Sequence, residues 1–185
     1  MNARSQIRIV GGAWRSRLVD VPGIPGLRPT PDHVRETLFN WLGQTLDGLT
    51  CLDLFAGSGV LGFEAASRGA ASVTLVERDP RAHAALRRNA EKLAVTQVEI
   101  VQGDALEFLV STTRQFNVAF ADPPYRQGLI HRVMPLLDRV MLPGGLVYAE
   151  AETPFDSLAG WHALKRSRAG QVHFHLLERT EATST

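Results

Sequence analysis

Cys51-Leu52-Asp53-Leu54-Phe55-Ala56-Gly57-Ser58-Gly59-Val60-Leu61-Gly62 reads as a short buried strand that breaks into a glycine-rich turn and then opens a helix. A turn of this composition lets a ligand approach main-chain N–H groups closely, because glycine lacks the Cβ that would hold it away. The spacing Gly57-x-Gly59-x-x-Gly62, with Glu77 twenty residues past the first glycine, also satisfies the dinucleotide fingerprint. Taken alone, the stretch is compatible with a nicotinamide enzyme and with a purely structural turn.

Toward the C-terminus, strand and helix signals alternate. Strand 51–55 is followed by a helix from about 59 to 69, strand 72–76 by a helix from about 80 to 93, and strand 97–101 by a short helix starting near Asp104. Strand 116–121 then leads through Asp122-Pro123-Pro124-Tyr125 to a helix of about 128–141, and Pro143-Gly144-Gly145 turns into strand 146–150. Such alternation predicts βαβ units and a mostly parallel sheet with helices on both faces. Trp161–Ser167 and Gln171–Glu178 have only Arg168-Ala169-Gly170 between them, which predicts an antiparallel hairpin closing a seven-stranded sheet. The polar tail Thr180–Thr185 reads as frayed.

Toward the N-terminus, Gln6–Val10 and Arg15–Val19 flank Gly11-Gly12 and alternate polar with apolar, predicting a small β-hairpin with its arginines on one face and Trp14 beside the turn. Pro22 to Pro31 is a linker. Asp32–Leu42, apolar at Val34, Leu38, Trp41 and Leu42, predicts an amphipathic helix. Residues 1–31 are thus an appendage rather than a domain, and 32–185 form the α/β domain.

With 185 residues and 44% hydrophobic content, the chain suits one well-filled core. Its single cysteine, Cys51, lies in an apolar run, which rules out an intrachain disulfide and fits a reducing cytosol. No apolar stretch has membrane-spanning length and no leader pattern opens the chain, so a soluble cytoplasmic protein with no membrane partner is expected. Net charge is only +1, yet residues 1–31 carry Arg4, Arg8, Arg15, Arg17 and Arg28 against Asp20 alone. That asymmetry fits a polyanionic partner, and solvated arginines on a terminal hairpin fit it as well. His173 and His175 share one face of a strand but have no third ligand at metal spacing, so no metal is expected.

In open α/β sheets ligands bind beyond the carboxyl ends of the strands, where strand order reverses. Asp53, Glu77, Asp104 and Asp122 all fall near such ends, although Asp104, ahead of Ala105-Leu106-Glu107, also suits the N-cap of a helix. These residues resemble the class I S-adenosylmethionine-dependent methyltransferases. Asp53, Phe55, Ala56, Gly57, Ser58 and Gly59 are similar to that family's glycine-rich cofactor motif, Glu77 to the acid that holds the ribose hydroxyls, with Arg78 beside it, and Gly103-Asp104-Ala105 to the segment that holds the adenine. Asp122-Pro123-Pro124-Tyr125 resembles the catalytic motif of enzymes that methylate exocyclic or amide nitrogens, with Asp122 reaching the cofactor too. The resemblance implies a Rossmann-like fold with a reversed last strand, S-adenosylmethionine as cofactor, and Asp122, Pro123 and Tyr125 as the catalytic residues. A nicotinamide reading accounts for neither Asp122-Pro123-Pro124-Tyr125 nor the closing hairpin.

The likeness extends from about Arg4 to Glu178. Arg8-Ile-Val-Gly-Gly12, Arg15-Ser-Arg17, Leu27-Arg-Pro-Thr30, Val34-Arg-Glu-Thr-Leu-Phe-Asn-Trp41 and Ala169-Gly-Gln-Val172 resemble the bacterial enzymes that methylate N2 of one guanine in 16S ribosomal RNA. A chain of 185 residues has no room for the target-recognition domain of DNA adenine enzymes, so no action on DNA is expected. Its small recognition element suits help from a neighbouring ribosomal protein, and a monomer is expected. The resemblance implies ribosomal RNA as substrate, within an assembled 30S subunit. It assigns Arg8, Arg15, Arg17, Arg28 and Arg35 to RNA. Thr30, with Arg28 and Arg35, is the alternative closure over the cofactor's methionyl carboxylate, and Arg35 also suits an ion pair with helix acids. A guanine N2 is a poor nucleophile because its lone pair is delocalised into the ring. The Asp122 carboxylate and the Pro123 carbonyl on a rigid Pro-Pro turn supply two acceptors for its hydrogens, and Tyr125 a ring to stack on the base. Two other readings stay open: a nitrogen methyltransferase acting on DNA adenine or a protein glutamine, and a non-catalytic RNA-binding module that retains the fold.

Overall fold

The computed structural model describes residues 5–125 and 128–179; Arg4 and the tail Thr180–Thr185 lie outside them. Among the described residues an eight-stranded sheet forms the centre. Its parallel half is built from β3 (Thr50–Asp53), β4 (Ser72–Glu77), β5 (Val98–Gln102), β6 (Phe116–Ala121) and β7 (Met141–Ala151). Its antiparallel edge is β8 (Ser157–Leu158), β9 (Trp161–Ala169) and β10 (Val172–Arg179), and a separate hairpin pairs β1 (Ser5–Arg8) with β2 (Leu18–Val21). The order across the sheet is β5-β4-β3-β6-β7-β10-β9-β8. The chain runs outward from β3 through β4 to β5, then crosses back to lay β6 on the other side of β3. The carboxyl ends of β3 and β6 therefore mark the switch point.

The central strands alternate sides, and both sides are covered. Cys51, Val118, Phe120 and Tyr148 join Leu38 and Phe39 of α1 (Asp32–Leu42), Phe63 of α2 (Val60–Ser67) and Leu86 of α3 (Pro80–Leu93) in one buried cluster. Leu52, Ala119, Ala121 and Val147 join Leu109 of α4 (Ala105–Ser111) and Val133, Met134 and Leu137 of α5 (Leu129–Leu137) in the other. Each fully buried Leu or Phe contributes roughly 1.5–3 kcal/mol. Burial pushes the Cys51 thiol up to about 12, so it packs as a small apolar side chain.

Three expectations are corrected. The sheet has eight strands rather than seven, because the two residues of β8 pair with the start of β9. Helix α5 stops at Leu137 instead of near 141, since Met141 already pairs with Phe116 and the Phe116 N–H donates to the Val140 carbonyl at 2.8 Å. Strand β7 accordingly begins at Met141 and carries Pro143-Gly144-Gly145 as an irregularity inside it. The N-terminal hairpin is not closed by a tight Gly11-Gly12 turn: β2 starts at Leu18, and Arg15 and Arg17 lie in the long connection. That connection is clipped to the end of α2. The Ser67 hydroxyl donates to the Gly11 carbonyl at 2.6 Å and accepts from the Trp14 N–H at 2.9 Å, while the Ser67 carbonyl accepts from the Ala13 N–H at 2.7 Å.

A buried ionic clamp ties the same hairpin to the domain. Arg35 and Glu64 are 0% exposed and meet at 2.7 Å, and Glu64 also accepts from Arg68 at 3.4 Å and from the Val10 N–H at 2.5 Å. Arg35 further donates to the carbonyls of Thr30 (3.1 Å) and Arg8 (2.9 Å) and to Asp32. Its assignment to RNA is therefore corrected. Each of its three guanidinium nitrogens is hydrogen-bonded within the protein, as the ion-pair reading of that residue had it. Arg68 completes the clamp by lying over the Phe39 ring at 4.5 Å.

Candidate active site

Beyond the carboxyl ends of β3, β4, β6 and β7 opens a cavity of about 960 Å³, and the linker from Ile24 to Pro31 forms one of its walls. This is the upper end of the range for ligand pockets, about 300–1,000 Å³. The glycine turn after β3 is its floor. Asp53, Phe55, Ala56, Gly57 and Ser58 line it, as do Arg28 and Thr30 of the linker and, following β4 and β5, Glu77, Arg78, Gly103, Asp104 and Ala105. Gly59 does not. It takes φ +78 at the start of α2, and a Cβ there would stand 2.4 Å from Leu86 Cδ2 and 2.7 Å from Phe63 Cε2. It has a structural role in the turn, which it lets close against Leu86 of α3 and Phe63 of α2. Gly62 admits β4 in the same manner, a Cβ there falling 2.1 Å from Leu75 Cδ2.

Each acid at a strand end has a definable state. Asp53, 3% exposed, accepts from the Gly62 N–H at 3.2 Å, and burial, only partly offset by that bond, raises its carboxyl to about 7. Glu77 accepts from the Gly57 N–H at 2.8 Å through one oxygen and from the Asp79 N–H at 2.7 Å through the other. Each oxygen keeps a further lone pair for a ligand hydroxyl. Asp104 caps α4, accepting from the N–H groups of Leu106 at 2.8 Å and Glu107 at 3.3 Å, so the capping reading holds while the residue still borders the cavity.

The opposite wall comes from the end of β6. Asp122, Pro123, Pro124 and Tyr125 line the same cavity as the glycine turn. Asp122 is half-buried, Pro123 is buried, and Tyr125 is 44% exposed at the rim. A fifth acid missing from the sequence reading joins them. Glu150, 7% exposed near the end of β7, accepts from the Tyr148 hydroxyl at 2.7 Å and from the Tyr125 hydroxyl at 3.4 Å, and its carboxyl hydrogen-bonds that of Asp122. Burial and the Glu150 carboxyl beside it push Asp122 well above the usual carboxylate range, and burial raises Glu150 as well. The rule that picked out the acids at the other strand ends selects Glu150 equally. The linker residue Leu27, part of the Leu27-Arg-Pro-Thr30 segment, and the β10 residue Phe174 also border the cavity, and Phe174 has no sequence signal marking it.

The arginines assigned to RNA separate into groups. Arg28 stands at the cavity, exposed, while Arg8, Arg15 and Arg17 lie away from it on the hairpin. Arg8, its side chain 64% exposed, is 3.5 Å from Asp32, and Arg17 donates to the Leu93 carbonyl at 3.2 Å. His175 is buried, its ring stacked on Phe155 at 4.1 Å and in contact with the Phe155 N–H, and among the described residues no three His, Cys, Asp or Glu side chains gather as a metal site. No helix among those residues is long and apolar enough to cross a membrane.

Residues 7–178 match the protein family described as conserved hypothetical protein 95. The ribosomal RNA small subunit methyltransferase D of Escherichia coli K12 is 43% identical over 180 residues, covering 94% of this chain and 90% of that one. Its namesake from Haemophilus influenzae is 40% identical, covering 96% of each. A solved methyltransferase from Escherichia coli superposes with a TM-score of 0.84 at 42% identity, over 95% of this chain and 98% of that one. A 16S rRNA N2 methyltransferase of Thermus thermophilus, solved in complex with AdoMet and guanosine, shares the fold at a TM-score of 0.73 and 20% identity, over 97% of this chain and 50% of that one.

Proposed function

The chain belongs to the family described as conserved hypothetical protein 95 and to that of the ribosomal RNA small subunit methyltransferases D, and we propose from this that it transfers a methyl group from S-adenosylmethionine to the exocyclic N2 of a guanine in small-subunit ribosomal RNA. One observation carries the reading: the glycine turn after β3 and Asp122-Pro123-Pro124-Tyr125 after β6 line a single cavity across the switch point of the sheet. Such an arrangement suits a reaction that needs two ligands aligned.

The residues fit the cofactor chemically. Glu77 has lone pairs in reserve for ribose hydroxyls, Gly103 to Ala105 border the place for a base, and the acid Asp53 suits a ligand that carries positive charge. When bound, the cofactor supplies an electrophilic methyl group on a sulfonium. The protein's own work is to align the acceptor. The Asp122 carboxyl and the Pro123 carbonyl accept the two N2 hydrogens, which keeps electron density on nitrogen, and the exposed Tyr125 ring offers a stacking face. A guanine in a stack cannot reach this depth, so it must be turned out into the cavity. Arg8, Arg15 and Arg17 then hold phosphates and fix register rather than sequence. The 30S subunit as the substrate form, a neighbouring ribosomal protein as contact, a monomeric state and a cytoplasmic location complete the proposal. Residues 1–31 serve as its RNA-gripping appendage and 32–185 as its methyltransferase domain.

The test is incubation of the protein with methyl-labelled S-adenosylmethionine and small subunits from a strain lacking this gene, followed by nucleoside analysis. Label in N2-methylguanosine is expected. Label in DNA, in protein or in another nucleoside would overturn the assignment.

A further inference from the structure

Asp122 has a carboxylic acid partner near the end of β7. The β6–β7 register pairs Ala121 with Ala149, so the next residues, Asp122 and Glu150, are cross-strand neighbours at the carboxyl end of the sheet. Both line the cavity, and their carboxyls hydrogen-bond each other. A hydrogen bond between two carboxyls needs a proton on one of them. Glu150 takes the Tyr148 hydroxyl at 2.7 Å and the Tyr125 hydroxyl at 3.4 Å, and both bonds favour its charged form. The shared proton therefore resides on Asp122, whose hydroxyl oxygen donates to Glu150 and leaves its second oxygen as an acceptor. The ion pairs formed among the described residues all lie elsewhere.

Methyl transfer to an amine leaves one proton too many. As the N2–C bond forms, the sulfonium S–C bond breaks with its electron pair staying on sulfur, and N2 becomes positively charged. One N2–H bond must then break. We propose, resting on the guanine-N2 reading above, that Glu150 is the terminal acceptor of this proton, reached through the Asp122 carboxyl. The N2 proton passes to the free oxygen of Asp122 as the Asp122 hydroxyl proton passes to Glu150. Asp122 ends with one proton as it began, Glu150 ends neutral, and N2 ends as the neutral methylamine. Glu150 is thus a positioning residue that acts through Asp122. Tyr148, 0% exposed and seated against Phe120 and Phe174, holds it in place.

The groups facing Glu150 are Asp122 from the end of β6, Tyr125 from the turn beyond it, and Tyr148 on its own strand, with Asp53 acting on Asp122 and Glu152 on Tyr125. Opposite it on β10 stands Phe174, with His173 and His175 to either side. The pair works only while it holds a single proton, so the rate falls when acidity adds a second.

The experiment is the pH profile of kcat for wild type, Glu150→Gln and Tyr148→Phe, with infrared titration of protonated carboxyls on the same proteins free of ligand. For Glu150→Gln, kcat is expected to fall by about 10²-fold while the KM for cofactor and for RNA stays within about threefold. One protonated carboxyl present in the wild type near neutrality should vanish, because Asp122 loses the neighbour that keeps it neutral. Tyr148→Phe removes a donor to the charged form and should move the acid limb of the profile to higher pH. A Glu150→Gln protein with unchanged kcat and carboxyl count would overturn the proposal. Should that variant fail to fold, an unmoved acid limb in Tyr148→Phe would overturn it. A wild type that methylates no guanine would instead overturn the reading on which it rests.

Discussion

Arg35, Glu64 and Arg68 form one buried set of ionisable side chains, and Asp53 and Glu150 with the half-buried Asp122 form another of opposite character. In the first, each charge meets its opposite and the remaining donors find carbonyls, so the group closes on itself and joins the hairpin, α1 and α2. Burial raises the Glu64 carboxyl, and Arg35 and Arg68 partly offset it; in the second set acids gather near acids, and no cation among the described residues offsets the burial that pushes their carboxyls upward. The first arrangement stores no chemistry and holds structure. The second is costly unless a ligand or a proton compensates it, which is how a site differs from a strut.

The contrast is broken most strongly at Glu64. Glu64→Ala leaves two arginines without their buried anion and should cost about 3–5 kcal/mol, read as a drop in the midpoint of denaturant unfolding. Proteolysis of residues 5–31 should accelerate in the same variant. Asp53→Asn should do the reverse. The Asp53 carboxyl is raised from an ordinary 3.8 to about 7 in the folded protein, so the native state binds the extra proton and loses stability as pH rises through that window. At pH 8 the amide should stabilise the ligand-free protein by about 2–4 kcal/mol, and the advantage should disappear near pH 3, where both states are protonated. Thermal unfolding of both proteins at the two pH values checks this.

The same carboxyl sharpens the comparison on the ligand side. If its anion contributes to holding a cationic cofactor, affinity for S-adenosylmethionine should weaken below pH 7, by up to about tenfold per unit, in a calorimetric titration. Asp53→Asn should flatten that dependence. The smallest effect is expected at the surface. Replacing Arg8, Arg15 and Arg17 together by Ala should weaken RNA binding severalfold and lower its salt slope by about 2, with cofactor affinity unchanged.

Much of this is legible in the sequence itself. The alternation of apolar runs gave the parallel half of the sheet, because strands buried on both faces read as continuous hydrophobic segments. The short spacing between 161–167 and 171–178 gave the reversed edge. The strand-end rule found Asp53, Glu77, Asp104 and Asp122, and passed over Glu150 only because no motif drew attention to it. The hairpin register was hidden, since the clip that moves β2 to Leu18 runs through Ser67 in a helix distant in sequence. Arg35 was hidden for the same reason: its partner Glu64 is a tertiary contact, and an arginine in an arginine-rich segment looks like a surface charge until its surroundings are known.

The central claim is that Asp122 presents the nitrogen to the methyl donor, and Asp122→Asn tests it most directly by keeping shape while removing the proton route. Initial rates of label transfer to small-subunit RNA should fall at least about 10²-fold with S-adenosylmethionine affinity held within about threefold. A variant that methylates guanine at the wild-type rate with the same cofactor affinity would contradict the account.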